Sequence, residues 1–141
     1  MDDSGWTTIR AENESNEKVK EIINISGCPF YGAHMIDVYE AAAALAVKNK
    51  IVPVKEYGRE SDVTHVKLIT DDMKSFMCML YYSVDPEKDL NNLKDKAAVV
   101  KNFEQYAQAG LELLYSMCIE KNSVESFKYS ITGLSSEDEE F

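Results

Sequence analysis

The stretch DKAAVVKNFEQYAQAGLELLYSMCIE, residues 95–120, is the longest amphipathic segment of the chain. Its apolar side chains recur every three or four residues over several turns, which is the spacing of one face of an α-helix. That stripe consists of Val99, Val100, Phe103, Tyr106, Ala107, Gly110, Leu111, Leu114, Met117 and Cys118. Asp95 is a residue type that caps helix starts. The sequence therefore predicts that the longest helix begins at Asp95 and ends near Glu120.

Three further helices are predicted upstream of this segment. Apolar residues at helical spacing indicate a helix over 15–26, and Gly27 can take the left-handed conformation that ends it. A second helix over 33–48 has few polar side chains, so we expect it to be the most buried one. Thr70 with the two following acids predicts a third helix that ends near Ser83.

The remaining segments have shorter patterns. Residues 51–54 and 63–68 indicate two short strands, of which Pro53 restricts the first to an edge or an irregular strand. Residues 90–93 suggest a short helix, and 127–131 alternate as a terminal strand would. The predicted fold class is α+β and mainly helical, with four or five helices and a small β-hairpin or short sheet.

The acidic charge is concentrated at the two ends of the chain. Of a formal net charge of −10, residues 1–12 hold −2 and residues 135–141 hold −4. We predict a flexible lead-in over 1–13, a single globular domain over 14–134, and an acidic disordered tail over 135–141. The acidic balance argues against bulk coating of nucleic acid or of an anionic membrane.

Compartment and membrane contact follow from what is missing in the sequence. There is no pattern of a signal peptide, and no apolar run approaches the roughly 20 residues that span a bilayer. Three cysteines, Cys28, Cys78 and Cys118, form no CxxC motif and are odd in number. We therefore expect reduced thiols, a cytoplasmic location and no membrane partner.

Few residues form patterns that carry catalysis. His34 and His65 stand alone in their segments, and no glycine-rich phosphate motif is present. Asp71 and Asp72 are better explained by helix capping than by a magnesium site. We predict no catalytic residues, no metal and no cofactor. Cys28 near His34 leaves a small thiol enzyme open as an alternative.

Two features leave binding to other molecules open. Small lysine patches can contact DNA locally, although such lysines more often form a solvated face; they are Lys48, Lys50 and Lys55, and Lys94, Lys96 and Lys101. Adaptable apolar residues that usually belong to a core can also serve an interface; here they are Met73, Met77, Met79, Tyr81 and Tyr82.

The segment FEQYAQAGLELL, residues 103–114, resembles a helix of small accessory proteins of bacterial DNA phosphorothioation loci, the Dnd system-associated family. The family has a paired glycine where this chain has Ala109-Gly110. The order of Pro29-Phe30, the alanine-rich helix over 41–45 and Pro53-Val54 is also similar to that family. The resemblance implies a cytoplasmic bacterial protein with an accessory, non-catalytic role beside systems that modify or restrict DNA.

These observations lead to one expected function and to alternatives from different classes. We expect a non-catalytic accessory or adaptor subunit of a bacterial DNA-modification or phage-defence complex that acts by binding another protein. That partner would be a nuclease, an ATPase or a modification subunit, with DNA contact through it or through a lysine patch, and homodimerisation is left open. The expected partner-binding residues are Phe103, Glu104, Tyr106, Gly110 and Glu112. There are two alternatives. One is an acidic DNA mimic or inhibitor that occupies a basic cleft, and the other is the small thiol enzyme described above.

Overall fold

The computed structural model of the protein describes residues 5–55, 58–84 and 95–120. These residues form four α-helices and one two-stranded antiparallel sheet, so the expected mainly helical α+β class is confirmed. In chain order the elements are β1 (Ile9–Glu12), α1 (Asn13–Ile23), α2 (Met35–Lys48), β2 (Glu60–Thr64), a 3-10 helix (Val66–Leu68), α3 (Asp71–Val84) and α4 (Lys96–Tyr115), which continues into a π-helical turn (Ser116–Glu120).

The four predicted helices that fall within the described residues are confirmed to within a few residues. The end signal of the first was wrong, because α1 ends at Ile23 with Asn24 as its C-cap, before Gly27. The carboxylate of Asp95 accepts the N–H of Ala98 at 3.1 Å and caps α4. In the same way, the hydroxyl of Thr70 accepts the N–H of Met73 at 3.2 Å at the start of α3. Each bond satisfies a backbone donor that the first turn of a helix leaves unpaired.

The core lies mainly between α2 and α4, which make the most extensive contact between helices. Small residues of α2, Ala42, Ala43 and Ala46, are buried there and allow α4 to approach closely. Phe103 of α4 is also buried and meets the ring of Phe76 on α3 edge to face, with 6.0 Å between ring centroids. Half of the residues of α2 are buried, but the same share of α4 is buried, so the expectation that α2 is the most buried helix is wrong.

Part of the predicted flexible lead-in over 1–13 is ordered, because residues 9–12 form the first strand and Asn13 begins α1. Ile9 to Glu12 pair with Thr64 to Glu60, and the apolar side chains of Ile9 and Ala11 are buried. Trp6 is buried as well. Two apolar positions in four residues are too short a pattern to indicate a strand from sequence, whereas burial of one face stabilises it in the folded chain.

The predicted pairing of 51–54 with 63–68 is wrong. Residues 51–55 form no strand, and the N–H of Val54 instead donates to the carbonyl of Gln105 on α4 at 3.1 Å. Pro53 has no N–H to offer to a ladder, which disfavours a paired strand here. The actual strand β2 begins earlier, in the polar segment 60–64, and its partner is β1.

Three predicted features lie outside the described residues: the short helix near 90–93, the strand over 127–131 and the acidic tail over 135–141. Among the residues that are described, no helix combines the length and the apolar character that crossing a bilayer requires.

Candidate functional site

The segment with the family resemblance lies in the middle of α4, and most of it faces inward. Phe103, Glu104 and Gly110 are buried, Tyr106 is half-buried, and Glu112 is exposed. The three buried residues contact the chain's own elements: Phe103 meets Phe76, Glu104 accepts the N–H of Arg10, and Gly110 lies against Ala42. Glu112 binds Lys18 of α1, whose Nζ lies 2.6 Å from a carboxylate oxygen.

Two polar side chains of α4 hold the free edge of β1. The backbone N–H of Arg10 donates to the Glu104 carboxyl, and the N–H of Glu12 donates to the Gln108 side-chain oxygen, both at 2.7 Å. Residues 104 and 108 are one helical turn apart, and the backbone N–H groups of residues 10 and 12 point to the same edge of the strand. The helix thus supplies acceptors where a third strand would otherwise pair.

Glu104 as a residue is only 6% exposed. Burial raises its pKa from 4.5 to about 7, because a charge is poorly solvated in the interior. The N–H of Arg10 and the positive charge of Lys101 act in the opposite direction, since both favour the carboxylate. Glu104 is therefore a titrating group at neutral pH that is built into the contact between α4 and β1.

A second set of buried polar contacts holds the same strand at Ala11, between Arg10 and Glu12. The hydroxyl of Tyr39 on α2 donates to the side-chain oxygen of Asn16 at 2.7 Å, and the Asn16 amide donates to the carbonyl of Ala11 at 3.4 Å. Burial raises the pKa of Tyr39, with a further contribution from Glu12. Sequence reasoning missed Asn16 and Gln108, although Gln108 beside the apolar stripe of the helix is a signal for a buried polar role.

A shallow cleft of about 290 Å³ opens beside Glu104. It is lined by Thr7, Thr8, Arg10, Ala97, Val100, Lys101 and Glu104. A carboxyl with a raised pKa in a cleft is a pattern of catalytic acids and bases. Here Glu104 is already engaged by the N–H of Arg10, and the hydroxyl of Thr8 accepts the N–H of Val66 at 3.0 Å. The Glu104 carboxyl and the Thr8 hydroxyl therefore have structural roles, because each accepts a backbone N–H.

The structure does not pair Cys28 with His34. Cys28 is buried, and its sulfur lies 3.6 Å from that of Cys118. His34 is exposed at the start of α2, where its backbone N–H donates to the carboxylate of Asp37 at 3.1 Å. The described contacts therefore bring no imidazole base to the Cys28 thiol, which is what thiol catalysis would use.

The candidate metal and DNA-binding residues are dispersed. Asp71 and Asp72 are exposed in the first turn of α3, and the described part of the chain holds no group of three potential metal ligands. Lys48, Lys50 and Lys55 are exposed at and beyond the end of α2. The second predicted patch consists of Lys94, Lys96 and Lys101. Lys94 lies outside the described residues, and Lys96 lies over the ring of Trp6, with its Nζ 5.9 Å from the ring centroid.

A surface that faces away from the core runs along α3. Asp72, Ser75, Met79 and Tyr82 are all exposed and are spaced three or four residues apart, so they share one side of the helix, called the α3 outer face below. Met79 is 71% exposed and Tyr82 is 44% exposed, whereas Met77 and Leu80 on the opposite side are buried. The predicted group of methionines and tyrosines is thus divided between core and surface.

Acidic side chains lie next to the α3 outer face. The pKa of Glu40 on α2 is raised by its partial burial and by the negative charges of Asp37 and Asp72. Asp72 belongs to the α3 outer face, so the negative charge on this face influences the Glu40 carboxyl of the neighbouring helix.

Comparisons of the chain with protein families, with curated proteins and with solved structures find no match.

Proposed function

We propose that this protein is a non-catalytic accessory subunit of a bacterial DNA-modification or phage-defence complex, and that it binds another protein through the α3 outer face. The observation that carries the proposal is the exposure of Met79 and Tyr82, 71% and 44%, one turn apart on a helix whose other side packs into the core. Methionine and tyrosine are enriched where proteins bind each other, and a flexible thioether adapts to the shape of a partner.

Charge specifies the chemistry of the partner. Asp72 lies on the α3 outer face and interacts electrostatically with Glu40, which Asp37 also influences, and the whole chain carries −10. A complementary surface has an apolar centre that receives Met79 and Tyr82 and a basic rim that meets the carboxylates. Proteins that handle DNA carry basic surfaces of this kind, which is why a nuclease, an ATPase or a modification subunit suits the site.

The biological setting in this proposal comes from the resemblance of residues 103–114 to the Dnd system-associated accessory proteins. In this chain the segment holds β1 through Glu104 and Gln108 and packs against α2 at Gly110. A segment with such a role preserves the fold, so partner contact is assigned to a different surface, the α3 outer face.

The test is affinity purification of the tagged full-length chain from its native cells, followed by binding measurements with each purified partner that is recovered. We expect a DNA-modifying, DNA-cleaving or ATP-hydrolysing protein, and at least a tenfold loss of affinity in Met79→Glu and in Tyr82→Ser, about 1.4 kcal/mol. The matched control is Val52→Glu, because Val52 is 77% exposed but lies outside α3. Recovery of no such protein, or equal losses in the control, would overturn the proposal.

The alternative of an acidic DNA mimic predicts the opposite pattern of variants. A mimic presents carboxylates to a basic cleft, so Asp37→Asn with Asp72→Asn would abolish binding while Met79→Glu leaves it intact. In the accessory-subunit proposal the apolar residues dominate affinity, and the two acids mainly change the association rate and its salt dependence. Stopped-flow association at two salt concentrations separates the two functions.

A further inference from the structure

Two cysteines that are far apart in the sequence meet inside the protein. The sulfur atoms of Cys28 and Cys118 lie 3.6 Å apart, and both residues are buried. Cys28 belongs to the connection between α1 and α2, and Cys118 belongs to the π-helical turn that follows α4. The contact therefore joins the first helical connection to the end of the longest helix.

We propose that Cys28 and Cys118 are an oxidative modification site, which forms a reversible disulfide when the protein meets a two-electron oxidant such as hydrogen peroxide. The site is independent of the α3 outer face. Cys78 serves as an internal comparison, because it lies on α3, is half-buried, and has no sulfur partner among the described residues.

The geometry requires only a small movement. A disulfide has an S–S distance of about 2.05 Å, so the two sulfurs must approach by roughly 1.5 Å from their present contact. The connection that carries Cys28 contains Gly27 and Gly32, both with positive φ, at 94° and 80°. Glycine has no side chain to restrict its backbone, so we expect this connection to adjust while the core helices stay in place.

The reaction balances with one molecule of peroxide. One sulfur attacks the peroxide as a thiolate, which breaks the O–O bond and yields a sulfenic acid and one water. The second thiolate attacks that sulfur, an S–S bond forms, and the hydroxyl group leaves as a second water after it takes a proton. Two thiols lose two electrons and two protons in total, and a dithiol reductant restores both thiols by exchange.

The surroundings of the pair control how readily it reacts. Burial raises the pKa of Cys118 to about 12, and its hydrogen bond with Cys28 acts in the same direction. Because the thiolate is the reactive form, such a thiol reacts slowly at neutral pH. The pair is therefore suited to a slow response to sustained oxidation, and its oxidation rate should increase as the pH is raised from 7 to 9.

The disulfide would close a loop across most of the described chain, because the two cysteines are 90 positions apart. A cross-link of that length restricts the unfolded chain far more than the folded one. We therefore expect the oxidised protein to unfold at a higher urea concentration than the reduced protein.

The test treats the full-length protein with hydrogen peroxide under native conditions and then counts thiols after denaturation. The expected result is one remaining thiol of three, a peptide pair that joins residues 28 and 118 in a non-reducing digest, and full recovery with dithiothreitol. Cys78→Ser is the matched control: it should keep the linked pair and leave no free thiol. Three remaining thiols, or a link that involves Cys78, would refute the proposal.

Urea denaturation of cysteine variants gives a second test of the proposal. Cys118→Ala should lose the linked pair and the oxidation-dependent rise in the urea midpoint, whereas Cys78→Ser should retain both. If Cys118→Ala fails to fold, the peptide map and the urea midpoints of the wild-type and Cys78→Ser proteins still decide the matter. If the oxidised form unfolds at a lower urea concentration than the reduced form, the native fold does not accommodate the disulfide, and the proposal is wrong.

Discussion

Gly110 of α4 lies directly against the backbone of Ala42 on α2. A Cβ placed on Gly110 would overlap the carbonyl oxygen of Ala42 and would lie 2.7 Å from its carbonyl carbon. Real Cβ atoms do not approach a backbone so closely, so the two helices touch at this position because residue 110 has no side chain.

Gly110→Ala should therefore destabilise the protein. Alanine favours an isolated helix by about 1 kcal/mol over glycine. Here the added methyl group forces α2 and α4 apart, and we expect a net loss of about 2 kcal/mol in the free energy of unfolding. Urea denaturation measures the difference.

Gly58→Ala is the control for this prediction, because a Cβ there would meet only a side-chain oxygen of Glu12 at an ordinary 3.5 Å. We expect its effect to stay within about 0.5 kcal/mol. A Gly110→Ala variant as stable as the wild type would contradict the close contact between the helices.

Glu104 makes stability depend on pH in a defined direction. Its folded pKa of about 7 is above the ordinary 4.5, so the unfolded chain releases this proton first as the pH rises. The stability from this group is fully present below pH 4.5, falls between 4.5 and 7, and is constant above 7. The shift corresponds to a loss on the order of 3 kcal/mol.

Glu104→Gln removes this dependence, since a neutral amide oxygen can still accept the N–H of Arg10. We expect the variant to gain stability relative to the wild type as the pH increases from 5 to 8, as urea denaturation at each pH would show. Glu112→Gln serves as the control, because its pair with Lys18 is exposed and contributes less than about 1 kcal/mol. An equal pH profile for Glu104→Gln and the wild type would show that Glu104 is not the titrating group.

Trp6 fastens the first strand to α3 and α4. Two ammonium groups lie near its buried ring, with Lys74 Nζ at 5.7 Å and Lys96 Nζ at 5.9 Å from the ring centroid. Trp6→Ala removes the buried ring and these cation–π contacts, and we expect a loss of about 3 kcal/mol in the free energy of unfolding.

Hydrogen exchange gives a second readout for the same variant. The amides of residues 9–12 should exchange much faster in Trp6→Ala if the ring holds β1 in place. Trp6→Phe should be intermediate, and Val52→Ala, at an exposed apolar position, should change stability by no more than about 0.5 kcal/mol. Unchanged protection at 9–12 in Trp6→Ala would show that the ring does not hold β1 in place.

The helices could be predicted from the sequence because their signals lie within a few residues of each other. The stripe of α4 and the caps at Asp95 and Thr70 are local patterns, and the structure retains them. The residues assigned to partner binding were less predictable, since a helical stripe looks the same whether its other side is the chain's own core or a second protein. Phe103 and Gly110 face the core.

The pairing of β1 with β2 could not be predicted from the sequence. Two helices separate the strands along the chain, and neither strand has a long alternating pattern. The same applies to Glu104 with Arg10 and to Cys28 with Cys118, whose contacts exist once α4 packs against the first elements. Periodicity along the chain specifies which surfaces are apolar and where helices begin and end. Which of those surfaces meet is decided by packing and by the pairing of buried backbone groups, and neither can be read locally.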